Sequence, residues 1–292
     1  MPDFIAVGPQ RTGTTWFHEA LQGQVGLPRG IKETDFFGEN YSRGIEWYLA
    51  HFRGYPASMP IGEVDPNYFA NDAARERIAE HIPQCKIICS LREPVARAVS
   101  HYRMLRHYTW ARSGSFEQVL ESHPEILDHG RYAHHLGLWR ARFGTDKVLV
   151  CLYDDLQKDR QAFLNSICDF IRIPPVVVRA SMMSLRAVNS FQRQPKNLRL
   201  ARRARRLKWT LKNHGYYRLT NLFENAGVWR FCFGRGEEFP PLEAGTEARL
   251  RAHFLPDIEA LEQILGRDLS AWKTAGRGAS PPAARMSSSV TA

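Results

Sequence analysis

The stretch Gly8-Pro9-Gln10-Arg11-Thr12-Gly13-Thr14-Thr15 has the residue types of a phosphate-binding loop. It lies between a short apolar run and a helical pattern, and in such loops backbone N–H groups and a helix N-terminus cradle the anion. ATP- and GTP-binding loops have a lysine after the second glycine, where this chain has Thr14, and the cation of this loop is Arg11. The loop is therefore predicted to hold one phosphate group rather than a triphosphate, although a Gly-rich turn with a threonine cap would also explain it.

Apolar runs that alternate with helical patterns position this loop. The runs at 3–8, 86–91 and 147–153 predict buried strands, each followed by a helix. Such alternation is typical of an α/β fold with a mostly parallel central sheet flanked by helices on both faces. We expect one domain over residues 1–273, followed by a disordered Gly/Ala/Ser/Pro-rich tail at 274–292.

The composition bounds the class of protein. The chain has 292 residues, of which 43% are hydrophobic and 24% charged, and this excludes fibrous and wholly disordered proteins. The five cysteines include no C-x-x-C pair, so neither a zinc knuckle nor a disulfide framework is predicted. No apolar run approaches the roughly 20 residues of a membrane span, and no signal peptide is recognised at the start. We expect a cytoplasmic protein.

The positive charge is concentrated in one region. The net charge is +10, and no acidic residue occurs between Asp169 and Glu224. Residues 190–240 are predicted to form a basic helical insertion or lid, in which 198–212 has the period of an amphipathic helix. Such a surface suits a polyanion: a multiply phosphorylated nucleotide, an acidic polysaccharide, nucleic acid, or an anionic membrane contacted peripherally through 198–212.

Further segments, in the same order along the chain, carry a resemblance to a known family. The Gly8–Thr15 loop and these segments closely resemble sulfotransferases that use 3′-phosphoadenosine 5′-phosphosulfate (PAPS), and among them the heparan sulfate N-sulfotransferase and 3-O-sulfotransferase domains. The resemblance covers about residues 3–171 and returns weakly over 242–272. It implies the P-loop NTPase-like sulfotransferase fold, PAPS as donor, adenosine 3′,5′-bisphosphate (PAP) as product, and no metal. The segments are Lys32–Phe37, Asn40-Tyr41, Gly44–Leu49, Gly62–Phe69, and Leu91–Pro94 with Ser100.

The resemblance also implies which residues hold the donor. Arg11 would contact the 5′-phosphate and the bridging oxygen, where the family usually has lysine. Arg92 and Ser100 would hold the 3′-phosphate. The alternative for Arg92 is a salt bridge to a nearby acid such as Glu93, and the alternative for Ser100 is a small residue packed in the middle of a helix. The basic region would add a contact to the 3′-phosphate through Arg193, Lys196 or Arg199, with a solvated amphipathic helix as the alternative. The loop residues assigned to the 5′-phosphosulfate are Gln10, Arg11, Thr12, Gly13, Thr14 and Thr15.

For the transfer itself, the resemblance implies Glu33 as the general base that removes the acceptor's proton. Lys32 would lower the pKa of Glu33 if the two approach, or would contact a sulfonate oxygen. His107 is a second candidate, although its register differs from the family's by one residue. Many 3-O-type relatives have a lysine where this chain has Val64, so one presumed contact is missing. The alternative to a general base is that Glu33 is only a charged residue on a solvated loop.

Three functions are compatible with these patterns. The leading hypothesis is a PAPS-dependent sulfotransferase acting on a hydroxyl, or in second place an amine, of a carbohydrate or other small polar metabolite, with no specific nucleic acid as partner. A P-loop kinase using ATP and Mg²⁺ is the alternative enzyme. For it, 148–151 followed by Asp154-Asp155 would supply a Walker-B-like magnesium ligand, but we interpret these aspartates as caps of the next helix and predict no metal. A non-enzymatic polyanion-binding protein is the third.

Overall fold

The structure of the protein is a computed structural model. Its centre is a four-stranded sheet with the order β2-β1-β3-β4, in which every pair of neighbours is parallel. The strands are β1 (Phe4–Ala6), β2 (Gly62–Val64), β3 (Lys86–Leu91) and β4 (Val148–Leu152). The predicted α/β class with a mostly parallel sheet is confirmed. The structure describes residues 1–108, 115–183, 193–213, 216, 219–220, 222–223, 226–228 and 235–274.

Helices follow the strands and cover the sheet. Short 3₁₀ turns occur at Tyr41–Arg43, Pro66–Tyr68 and Thr145–Lys147. None of the described helices is long and apolar enough to cross a membrane. The described α-helices are α1 (Thr14–Leu21), α2 (Ile45–Ala50), α3 (Asp72–His81), α4 (Pro94–His107), α5 (Phe116–Ser122), α6 (Glu125–Asp128), α7 (Tyr132–Phe143), α8 (Tyr153–Lys158), α9 (Arg160–Ile171), α10 (Ala180–Met183), α11 (Leu198–Asn213), α12 (Ala244–Leu265) and α13 (Ser270–Lys273).

Both faces of the sheet are buried, which explains why the strands are apolar throughout. In β1, Phe4 and Ala6 point to a core formed with α1 and α9, whereas Ile5 points to a larger core formed with α3, α4, α7 and α12. Successive side chains of a strand point to opposite faces, so a strand covered on both sides needs apolar residues at every position. The larger core contains the fully buried rings of Trp139 and Phe254.

The basic region is attached to the body of the protein near the end of α4. A small antiparallel sheet pairs β5 (Arg193–Pro195) with β6 (Arg235–Glu238). The Arg106 guanidinium of α4 donates to Gln194 Oε1 at 3.1 Å. The insertion or lid at 190–240, and a single domain over 1–273, stay predictions. Residues 275–292 of the predicted disordered tail lie outside the described residues.

Candidate functional site

The predicted phosphate loop connects the carboxyl end of β1 to the start of α1. Gly13 precedes the helix with φ of 92°, a left-handed conformation that favours glycine. Gly8 lies so close to β3 that a Cβ there would be 2.3 Å from Ser90 Oγ. The buried Thr12 hydroxyl donates to the Pro9 carbonyl at 2.7 Å and lies 2.8 Å from Ser90 Oγ. The Thr12 side chain therefore holds the shape of the loop, which leads directly into the first turn of α1, where a helix leaves its N–H groups without partners inside the helix.

Two more predicted phosphate ligands lie against this loop. Arg11 adopts a left-handed conformation with φ of 78°, and its Nε donates to Ser100 Oγ on α4 at 2.9 Å. Arg92, which follows β3, donates from Nη1 to the Arg11 carbonyl oxygen at 3.3 Å. Three residues from separate parts of the chain thus meet at the carboxyl edge of the sheet, where open α/β sheets bind ligands.

Positive charge accumulates behind this site. Burial, and then the charge of Arg92, lower the pKa of Arg11 to about 10, so Arg11 stays protonated at neutral pH. Arg97, one turn along α4 and fully buried, donates to the Ile126 carbonyl oxygen, and its Nε has no partner among the described residues. Burial and then Arg97 lower the pKa of His101 to about 2, so this imidazole is neutral. An anion bound beside Arg11 and Arg92 would relieve their mutual repulsion.

Two tyrosines that the sequence analysis did not single out support Arg92. The Arg92 guanidinium carbon lies 4.9 Å from the centre of the Tyr153 ring, and Tyr132 Oη donates to the Arg92 carbonyl oxygen at 2.7 Å. Tyr153 also packs against Gly13, where its Cδ2 would be 3.1 Å from a Cβ. Tyr153 directly follows β4, and a residue at the carboxyl end of a neighbouring strand could have been suspected from that position.

The structure does not show the alternative role of Arg92, which is a salt bridge to Glu93. The Glu93 carboxylate accepts from the Val95 and Ala96 N–H groups at 3.0 and 2.6 Å and so caps α4. Its nearest ion-pair partner is Arg251 of α12 at 3.7 Å. Arg92 forms no ion pair with a carboxylate in the part of the chain that the structure describes.

The proposed base lies on a loop beside the carboxyl end of β2. Lys32 Nζ and Glu33 Oε1 are 2.6 Å apart, and the two side chains are 30% and 36% exposed, so solutes can reach them. Gln10 connects the phosphate loop to the same end of β2, because its Nε2 donates to Asn67 Oδ1 at 2.9 Å. The Gln10 Oε1 atom is buried and has no partner among the described residues.

A buried carboxylate that the sequence analysis did not assign holds the loop that carries Glu33. Glu63 of β2 is fully buried, and its Oε1 accepts from Thr34 N at 2.9 Å and from Thr34 Oγ1 at 2.5 Å. Its Oε2 accepts from Tyr48 Oη at 3.0 Å and Tyr68 Oη at 3.4 Å. Asp65 accepts from the Asp35 N–H at 2.7 Å. Both carboxylates thus hold the backbone that carries Glu33.

Burial dominates the titration of the groups around this loop. It raises the pKa of Glu63 to about 7, although the hydrogen bonds from Thr34 oppose the rise. Burial and then the charge of Glu63 also raise the pKa of Asp65. On α1, burial and then the charge of Lys32 lower the pKa of His18 to about 4, so a neutral imidazole faces the Lys32–Glu33 pair. The burial of His18 depends on how α1 packs against the rest of the protein, and no spacing in the sequence marks His18 as part of the site.

The remaining predicted residues lie at the end of α4 or beyond it. His107 is the last residue of α4, about 10 Å of helix beyond Ser100, and its ring packs edge-on against Tyr108. Arg193 begins β5, and Lys196 is exposed just before α11. Roles for His107, Arg193 and Lys196 stay predictions, as do the roles of the loop residues.

The interpretation of Asp154 and Asp155 as helix caps is wrong in detail. Both lie in the first turn of α8, which has no side-chain cap, whereas Asp159 caps α9 by accepting from the Ala162 N–H at 3.0 Å. Asp155 instead forms a two-pronged ion pair with Arg267 at 2.5 and 2.6 Å. No group of three or more His, Cys, Asp or Glu side chains within the described ranges could hold a metal ion.

Known proteins resemble this chain in sequence and in fold. The family model described as "Sulfotransferase domain" matches residues 1–214. Bifunctional heparan sulfate N-deacetylase/N-sulfotransferase 1 of Caenorhabditis elegans is 30% identical over 193 residues, which cover 60% of this chain and 22% of that protein. Bifunctional heparan sulfate N-deacetylase/N-sulfotransferase 4 of Mus musculus is 30% identical over 298 residues, 93% of this chain and 31% of that protein. The chain thus spans less than a third of the length of these relatives.

The fold has a counterpart among solved structures. The crystal structure of a sulfotransferase from Alicyclobacillus acidocaldarius superposes with a TM-score of 0.67 at 21% identity and covers 94% of this chain and 99% of the other. At this level of identity the likeness concerns the fold, and it agrees with the sulfotransferase fold that the sequence resemblance implied.

Proposed function

The chain belongs to the sulfotransferase family, and from that premise we propose that it transfers a sulfuryl group from PAPS to a hydroxyl of a carbohydrate or other small polar metabolite, with an amine as the second choice. The observation that carries this proposal is the meeting of Arg11, Ser100 and Arg92, with Arg11 Nε at 2.9 Å from Ser100 Oγ and Arg92 Nη1 at 3.3 Å from the Arg11 carbonyl oxygen. The resemblance assigns these three residues to the two phosphate groups of the donor.

The residues at this edge of the sheet fit a donor with two separate anionic groups. The loop ends at Gly13, directly before α1, and the N–H groups at the start of a helix favour negative charge. The buried Gln10 Oε1, which lacks a partner among the described residues, supplies an acceptor for a ligand donor or a bound water. We assign the 5′-phosphosulfate to the loop and Arg11, and the 3′-phosphate to Arg92 and Ser100. PAPS, when bound, supplies the activated sulfuryl group.

Arg11 stabilises charge and does not donate a proton. Its guanidinium stays charged at neutral pH even with the pKa lowered to about 10. A fixed cation beside the bridging oxygen stabilises the negative charge that develops there as the bond breaks. Proton transfer from Arg11 to the leaving group is not part of this proposal, because Arg11 stays charged at neutral pH. The leaving group would depart as an anion, and Arg11 and the loop N–H groups are the groups that would hold it.

Glu33 accepts the proton of the attacking acceptor in this proposal. Its side chain is 36% exposed, so an acceptor can reach the carboxylate, and Lys32 Nζ at 2.6 Å keeps a cation beside it. The backbone that carries Glu33 is held through Thr34 by Glu63, which restricts where the base can move. Positioned proton transfer of this kind contributes about 10²–10⁴-fold to a rate.

Two observations bear on the acceptor: the names of the relatives and the residue at position 64. The curated relatives are named for heparan sulfate, and this supports a carbohydrate acceptor. The position of Val64 argues for a different acceptor contact, because many 3-O-type relatives have a lysine there and Val64 is fully buried in β2. Fold and donor site carry over between relatives better than acceptor specificity. A cytoplasmic location stays a prediction.

The direct test of the base uses radiolabelled PAPS with a panel of sugars and hydroxylated metabolites. Glu33→Gln should lower kcat/KM by about 10²-fold or more and leave PAP binding unchanged. The matched control Glu39→Gln changes an exposed carboxylate of the same segment and should stay within about twofold of the wild type. A Glu33→Gln variant as active as this control would refute Glu33 as the base. Phosphoryl transfer from ATP with Mg²⁺, without sulfuryl transfer, would support the kinase instead.

A further inference from the structure

The large apolar side chains that the structure shows exposed to solvent are concentrated in one segment. Eight of the twelve among the described residues lie between 198 and 228, and Trp209 and Leu222 are 66% and 61% exposed. Scattered exposed apolar residues are normal on a soluble protein, but a concentration of them marks a surface that contacts something apolar. The eight are Leu198, Leu200, Leu207, Trp209, Tyr216, Leu219, Leu222 and Val228.

The same segment carries a row of arginines along α11. Arg199, Arg202, Arg203 and Arg206 are all exposed, and their spacing of three and four residues places them on one face of the helix over about 10 Å. None of them forms an ion pair with a carboxylate of the described residues. The sequence offers no acidic neighbour either, since none occurs between Asp169 and Glu224.

The opposite face of α11 attaches the helix to the protein. Ala201 and Ala204 are buried and pack with Tyr108, which follows α4. Small residues on the attached side let the helix lie close to the body, so its longer side chains remain outside. Leu200 and Leu207 are 39% and 50% exposed, and at helical spacing they flank the arginine row. The outward surface is thus both cationic and apolar.

We propose that α11 docks the protein on an anionic lipid surface. A soluble linear polyanion would account for the arginine row but would leave Leu200, Leu207 and Trp209 exposed to water. A membrane interface accounts for both features: lipid phosphates pair with the guanidinium groups, and leucine and tryptophan side chains enter the headgroup region. This proposal is independent of the sulfotransferase activity, because PAP binding in solution does not require a membrane.

The test is co-sedimentation with vesicles of phosphatidylcholine containing about one third phosphatidylglycerol, with pure phosphatidylcholine vesicles as reference. The protein should bind the anionic vesicles, and binding should weaken as salt rises from about 50 to about 500 mM. Arg203→Gln/Arg206→Gln should lower the partition coefficient about 30-fold, at roughly fivefold per arginine. The matched control Arg53→Gln/Lys158→Gln removes two exposed cations elsewhere and should change it by less than about twofold.

A second pair of variants tests the apolar contribution. Trp209→Ala should weaken binding to anionic vesicles several-fold, whereas Val177→Ala, at a residue 79% exposed on another part of the surface, should not. Each variant should keep the urea-unfolding midpoint of the wild type, which separates misfolding from loss of docking. Equal effects of the test and control variants would overturn the proposal. So would binding to heparin or duplex DNA without binding to the vesicles, since that result would assign the arginine row to a soluble polyanion.

Discussion

Replacing Glu63 by glutamine should change how the stability of the protein depends on pH. Burial raises the pKa of this carboxyl from 4.5 to about 7, so the folded state binds its proton more tightly than the unfolded state does. The stabilisation from the neutral form is complete below about pH 4.5 and is lost as the pH rises through about 7. A glutamine at position 63 has no proton to lose, and its contribution to stability stays constant.

The magnitude follows from the shift of the pKa. A shift from 4.5 to about 7 corresponds to about 3 kcal/mol at 1.36 kcal/mol for each pH unit. Against this, the glutamine amide nitrogen cannot accept from the Thr34 or tyrosine donors, and a buried unsatisfied donor costs about 1–3 kcal/mol. The wild type should therefore be more stable than Glu63→Gln near pH 5, and this advantage should shrink by about 3 kcal/mol near pH 8.

Urea unfolding of the two proteins at several values between about pH 5 and pH 8 measures this difference. Glu80→Gln serves as the control, because it replaces an exposed carboxylate of α3 and should follow the wild type at every pH. Parallel curves of unfolding free energy for the wild type and Glu63→Gln would refute the reasoning. They would mean that the hydrogen bonds to Glu63 offset the cost of burying its charge.

Three other perturbations test the site and its surroundings. Gly8→Ala places a Cβ 2.3 Å from Ser90 Oγ of β3 and should destabilise the protein by more than about 2 kcal/mol in chemical denaturation. The control Gly137→Ala lies in α7 with open space around it and should stabilise the protein by up to about 1 kcal/mol. Ser100→Ala should weaken PAP binding about tenfold by calorimetry, since one hydroxyl donor to an anion is lost; unchanged affinity would leave Ser100 as a packing residue. Asp155→Asn should cost at most about 1 kcal/mol, and less at high salt, because the ion pair with Arg267 is exposed.

The sequence alone predicted the sheet where the strands are continuous apolar runs. β3 and β4 lie at the predicted runs because both faces are buried, and such burial needs an apolar residue at every position. The short strand β2 gave a weaker pattern, since it has the charged Glu63 at its centre. A glutamate in a buried strand is tolerable only with partners, and those partners, Thr34, Tyr48 and Tyr68, come from separate segments.

The sequence placed three site residues: Arg11 in the phosphate loop, Arg92 after β3, and Ser100 about two helical turns further on. The resemblance assigned their roles, and the structure brings the three together. The support from Tyr132 and the neutral state of His18 depend on packing between helices, for which one sequence has no signal. The same limit explains why Asp155 was wrongly predicted to cap a helix, because its ion-pair partner Arg267 lies more than a hundred residues away.

Thermal unfolding with PAP measures whether this site binds the PAPS nucleotide. PAP at a hundred times its Kd should stabilise the wild type by about 2.7 kcal/mol without any metal, and Arg11→Ala and Arg92→Ala should abolish the shift. ATP with Mg²⁺ should give no comparable shift, because the loop has Thr14 where a triphosphate loop has lysine. Stabilisation by ATP with Mg²⁺ and none by PAP would contradict the account and favour a kinase.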